Sequence, residues 1–188
     1  MQQKEALAFL EEINKQIFFD TLRRCKSAND WSAIALLGNR GKWTAANALK
    51  LVIDQIPKDD KLYWMIIEIY VNNGYQFPRS IIIRANKLKP ADYLRDLPEE
   101  FTGVDSITVY RCSATPPEKM GSVRNEISWT TNIDVAEWFY NREVNLFNHP
   151  AFMYKATISK EKIIAYTNDR EEYEVIQHGG VVALELVK

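Results

Sequence analysis

Apolar positions recur at three- and four-residue steps through the first hundred residues, and that period predicts helices. Between Glu5 and Arg24 the stripe is Leu7, Leu10, Ile13, Ile17 and Phe18. A second helical stretch carries Trp31, Ile34, Leu37, Trp43, Leu49, Val52 and Ile53; Gly38 and Gly41 break it in two, and Pro57 ends it. Asp59 or Asp60 can cap a third segment bearing Leu62, Trp64, Ile66, Ile67 and Tyr70, which Asn73-Gly74 stops. A short helix over 79–88 precedes a looser stretch with Pro90 and Pro98.

The period changes after Phe101. Residues 107–112 alternate and are rich in β-branched side chains, which predicts a strand. Residues 114–125, with Pro116, Pro117 and Gly121, read as a loop, and 126–130 as a short strand. Thr131 with Asp134 approximates a capping box opening a helix with Val135, Trp138 and Phe139 on one face. Strands are expected at 152–159, 162–167, 172–177 and 181–187, with turns at Asn168-Asp169 and Gly179-Gly180. The expected fold class is α+β: an N-terminal helical region over 1–100, then a mostly antiparallel β core over 101–188.

Composition narrows the partners. At 188 residues the chain can form one large domain or two small ones, and five Trp, nine Tyr and eight Phe supply a core that excludes disorder. A net charge of −1 argues against a nucleic-acid partner. Cys25 and Cys112 are too few for a disulfide framework and lack metal-ligand spacing; His149 and His178 are far apart, so no metal is expected. The stretch MQQKEALAFLEEINKQ lacks the apolar centre of a signal peptide, and no run is long enough to span a bilayer. The expected location is therefore a reducing cytoplasm, with no membrane partner.

Three short segments carry candidate chemistry. In Glu172-Tyr173-Glu174-Val175-Ile176, strand alternation puts Glu172 and Glu174 on one face. Two neighbouring carboxylates repel, so one tends to hold a proton, and such a pair suits work on a developing cation or a sugar hydroxyl. The competing reading is an edge strand with a wet, charged face. Arg111 continues the apolar stripe of Ile107 and Val109, so it either lines a cleft, where its fork matches phosphate oxygens, or pairs with an internal carboxylate. In Ser128-Trp129-Thr130, Ser128 and Thr130 share a face and Trp129 points oppositely into a core; Ser128 can orient a carboxylate or simply satisfy its own hydroxyl. No GxSxG elbow is present, which leaves a serine nucleophile without support.

In order and combination these segments resemble the mono-ADP-ribosyltransferase family of the Arg, Ser, Glu class. The matches are Tyr110-Arg111, Ser128-Trp129-Thr130 and Glu172-Tyr173-Glu174-Val175-Ile176, joined by the helix Val135-Ala136-Glu137-Trp138-Phe139 and the strand at Tyr154-Lys155-Ala156. The likeness covers the last 90 residues or so.

The resemblance implies an ADP-ribosyltransferase-like β core that uses NAD as substrate and an acceptor protein as partner. It gives Arg111 the pyrophosphate, Ser128 the orientation of the catalytic carboxylate, and Thr130 a place in the cofactor-binding strand. Glu174 would stabilise the oxocarbenium, and Glu172 the incoming acceptor, with arginine the residue modified and 167–171 the acceptor loop. Cys112 stands where the family has glycine, and its backbone would contact nicotinamide. The short spacing from Arg111 to Ser128 suggests that the N-terminal helices supply a wall of the same compact enzyme. A bacterial or phage effector fits this size. An NAD glycohydrolase and a catalytically inactive binding module remain open within the same resemblance.

Overall fold

A computed structural model describes residues 2–38, 41–73 and 77–188. The chain divides into two compact units, 1–90 and 91–188. The division falls ten residues before the expected 100/101 boundary. Leu94 and Leu97 explain the shift, because both pack into the core of the second unit.

The first unit is helical: α1 (Gln2–Ala28), a 3-10 turn (Ser32–Leu37), α2 (Ala45–Val52), α3 (Asp60–Asn73) and α4 (Arg79–Ala85). Thr44 caps α2 by accepting from the Asn47 N–H at 3.2 Å, and Asp59 caps α3 by accepting from the Leu62 N–H at 3.1 Å. The predicted break holds at Gly38 and Gly41, both at positive φ. The predicted stop falls at Asn73, and Gly74 lies outside the described residues. In α1 the buried positions are Phe18, Thr21 and Cys25; of the expected stripe, Leu7 and Leu10 are 62% and 54% exposed. The 3.6-residue period was correct for the helix but does not say which turns find a partner.

The second unit is a six-stranded sheet: β1 (Ser106–Ser113), β2 (Ser128–Thr130), β3 (Phe152–Ser159), β4 (Ile163–Thr167), β5 (Glu174–Gln177) and β6 (Val181–Leu186). Its order is β4-β5-β2-β1-β3-β6, and every pairing is antiparallel. Helix α5 (Met120–Val123) interrupts the expected 114–125 loop, and α6 (Ile133–Asn141) packs against β1, β2 and β3. Asn132, not Thr131, caps α6, its side-chain oxygen accepting from the Asp134 N–H at 2.9 Å. α6 buries Ala136, while Trp138 is 58% exposed and stacks with the Arg142 guanidinium instead of entering the core.

One face of the sheet holds Ile107, Val109, Trp129, Tyr154, Ala156, Ile158 and Val175 in a single cluster. Each large side chain buried there stabilises by roughly 1.5–3 kcal/mol. The β5–β6 turn needs glycine: a Cβ at Gly180 would lie 2.7 Å from Lys162 Cβ, and Gly179 has φ of +69°. Among the described residues no helix is long and apolar enough to cross a membrane.

Candidate active site

The three motif-bearing strands are neighbours in the sheet, in the order β5-β2-β1. Tyr110 pairs with Thr130, and Thr130 pairs with Glu174. Directly opposed residues in antiparallel strands share a face. Ser128, Thr130 and Glu174 therefore leave one face, while Trp129 and Val175 leave the other and are buried. Strand pairing alone thus brings a serine of β2 beside a glutamate of β5.

Glu174 is the centre of the cluster. It is 5% exposed, and β5 lies between β4 and β2 rather than at an edge, which removes the wet edge-strand reading. Burial pushes its carboxyl above the usual carboxylate range. The Ser128 hydroxyl donates to it and pulls the other way, as does the positive charge of Arg170; Glu172 adds repulsion, and Arg111 a weaker attraction. Burial outweighs these partners, so the anion is only partly compensated.

Glu172 reaches the site by a route different from the expected one. The strand begins at Glu174, because Glu171 and Tyr173 adopt positive φ of 57° and 51°. Strand alternation therefore does not align the two carboxylates. Arg170 does: its Nη2 lies 2.8 Å from Glu172 Oε2 and 3.4 Å from Glu174 Oε2.

Two left-handed non-glycine residues cost of order 1–3 kcal/mol each. A set of hydrogen bonds offsets that cost. Asn168 Oδ1 accepts from the Tyr173 N–H at 3.1 Å, Asn168 O from the Glu171 N–H at 3.0 Å, and Tyr173 O from the Thr131 N–H at 3.1 Å. Thr130 Oγ1 donates to Glu172 O at 2.7 Å and accepts from the Asn132 N–H at 3.0 Å. The Thr130 hydroxyl is thus committed to holding the 168–173 loop, which makes Thr130 an anchor for Glu172 rather than a group presented to a ligand.

Arg111 follows Ile107 and Val109 along β1, as the stripe predicted, and both of those are buried. Strands β1 and β2 pair at one position only, Tyr110 with Thr130. Beyond it the guanidinium enters the gap: Nη1 donates to the Ser128 carbonyl oxygen, and Nη2 lies 3.3 Å from Glu126 Oε2. The internal carboxylate left open by the sequence is therefore Glu126. The Arg111 Nε is buried and makes no hydrogen bond in the described structure.

Cys112 stays in regular β1 opposite Met153, with no left-handed backbone. Burial, then the charge of Glu143, raises its thiol pKa, against Arg111 and Arg142. Its thiol is therefore a weak nucleophile. Among the described residues no cluster of three or more His, Cys, Asp and Glu could hold a metal. His149 instead contacts Glu143 at 3.2 Å.

The structure thus brings Ser128, Glu172 and Glu174 together and gives Thr130 a supporting place; Arg111 leaves β1 on the opposite face, with Trp129 and Val175, and meets the cluster only through the Ser128 carbonyl. The sequence reading missed Arg170 and Glu126. Arg170 stands two and four residues before the glutamates in Asp169-Arg170-Glu171-Glu172-Tyr173-Glu174, and a lone cation among four acidic residues was the available signal. Glu126 was signalled only by the need of a half-buried arginine for a partner. Comparison of the chain with protein-family models, with curated proteins and with solved structures returned no match.

Proposed function

We propose that the β unit is a mono-ADP-ribosyltransferase that cleaves NAD and passes ADP-ribose to an arginine of an acceptor protein. The observation carrying this reading is a buried, incompletely compensated Glu174 that takes a hydrogen bond from Ser128 on its own sheet face, with Glu172 joined to it through Arg170 and Arg111 adding a weak attraction. A buried anion in that condition gains most from a positive charge that appears next to it. Loss of nicotinamide from NAD creates such a charge, an oxocarbenium at ribose C1′. Preorganised electrostatics of this kind are worth about 3–4 kcal/mol per removed group.

The division of labour follows from position. Glu174, fixed by Ser128, faces the ribose and its developing cation. Arg111, held at one nitrogen by the Ser128 carbonyl and paired at the other with the half-exposed Glu126, takes the pyrophosphate by displacing Glu126. Glu172 sits in the 168–173 loop, where an acceptor approaches, and takes the proton that the acceptor nitrogen gives up. The C1′–nicotinamide bond breaks with its electron pair leaving on nicotinamide, and the acceptor nitrogen forms the new bond to C1′. When water replaces the acceptor, the same cleavage becomes NAD hydrolysis.

The test has two channels: nicotinamide release, and transfer of labelled ADP-ribose to a small guanidine mimic. Wild type should show both. Glu172→Gln should lose transfer while keeping much of the slow hydrolysis. An equal loss in both channels would show that the two carboxylates act as one coupled site. Release with no transfer in wild type would replace the transferase with a glycohydrolase.

A further inference from the structure

A guanidinium already sits between the acceptor-side carboxylate, Glu172, and the ribose-side one, Glu174, and it belongs to the chain itself. One nitrogen of Arg170 lies 2.8 Å from Glu172 and 3.4 Å from Glu174. The loop delivering it is fixed by four hydrogen bonds from Asn168, Thr130 and Thr131, and it includes the left-handed Glu171 and Tyr173. The Arg170 side chain is partly exposed rather than sealed in the core. Arg111 and Arg142 differ: the first is held by the Ser128 carbonyl and Glu126, the second by Glu143 and the rings of Trp138, Phe139 and Phe147.

We infer that Arg170 is a modification site, and that the protein transfers ADP-ribose to the Arg170 guanidinium in cis. The inference rests on the transferase reading above and deepens it, since it names a first acceptor. Transfer breaks the C1′–nicotinamide bond, with the electron pair leaving on nicotinamide. Nη2 of Arg170 forms the new bond to C1′ and passes one proton to the Glu172 carboxylate 2.8 Å away, which returns it to water. No oxidant, reductant or further reactant enters. A tethered acceptor carries an effective concentration of about a millimolar, so at about micromolar protein the cis reaction outruns the intermolecular one roughly a thousandfold.

The experiment incubates the full chain with NAD, follows nicotinamide release, and maps ADP-ribose by fragmentation that preserves glycosidic bonds. The expected result is a single ADP-ribose on Arg170, formed at a per-molecule rate that does not change on dilution. Glu174→Gln protein mixed with active wild type should stay unlabelled at Arg170, because its own site cannot make the cation. Nicotinamide release with no label on Arg170 overturns the inference and leaves NAD cleavage standing. Equal labelling of the Glu174→Gln partner overturns the cis route. No nicotinamide release overturns the transferase reading and this inference together.

Discussion

Replacing Glu174 with glutamine should trade activity for stability, and the two effects should separate with pH. The change keeps the shape of the side chain, so the Ser128 hydroxyl can still donate to the remaining oxygen. It removes a charge that is 5% exposed and whose largest influence is burial. The folded carboxyl holds its proton more tightly than the unfolded one. Its contribution to stability is therefore full below the unfolded pKa and is lost as pH rises toward the folded value. Above that window wild type bears the whole penalty and Glu174→Gln bears none. Each pH unit between the two values corresponds to about 1.4 kcal/mol. One kcal/mol moves the melting midpoint of a chain this size by roughly 2–4 °C. The assay is thermal unfolding of both proteins from pH 4 to pH 8. The variant should melt higher at pH 8, and the gap should narrow toward pH 4. The same substitution should slow nicotinamide release about a hundred- to a thousandfold. A variant that melts lower at pH 8 would mean that Arg170 and Ser128 hold the anion more strongly than burial penalises it.

Three further outcomes follow from named contacts. Arg111→Lys should weaken NAD binding by about 1.5–3 kcal/mol, roughly ten- to a hundredfold in a calorimetric titration, because Lys keeps the charge but not the fork; equal affinities would make Arg111 only the partner of Glu126. Glu126→Gln should strengthen NAD binding by up to about fivefold, since it frees the Arg111 Nη2 from a pair of the half-exposed kind worth about 0.2–1 kcal/mol; weaker binding would show that the pair positions Arg111 for its ligand. Thr130→Val leaves the Glu172 carbonyl and the Asn132 N–H without their shared hydroxyl, so unfolding should cost about 1–3 kcal/mol less and transfer should fall more than NAD affinity does; unchanged stability and transfer would remove Thr130 from the anchoring of the loop.

Much of the β unit was legible because strand alternation and turn residues are local signals. The strand at 152–159 matches β3 from Phe152 to Ser159, and the turns at Asn168-Asp169 and Gly179-Gly180 fall where their residues placed them. Glu172 was misplaced for a physical reason. A strand reading assumes extended backbone, and positive φ at Glu171 and Tyr173 is fixed by hydrogen bonds from Asn168 and Thr131, which no local propensity contains. The apolar stripe of α1 gave the helix but not its covering, since burial depends on what the rest of the chain brings against each turn. The capping oxygen of α6 moved one residue, from Thr131 to Asn132, because the helix begins at Ile133 and the Thr131 side chain is engaged with Tyr166. Arg170 escaped notice because its meaning lies in two carboxylates that only the folded loop brings together.

The most direct measurement of the central claim is nicotinamide release from NAD by the purified chain, run beside Glu174→Gln under identical conditions, with circular dichroism confirming that both are folded. The account predicts release by wild type that grows with protein concentration, gains speed as pH rises through the elevated Glu174 pKa, and drops about a hundred- to a thousandfold in the variant. No release by folded wild type, or the same rate from both proteins, would contradict it.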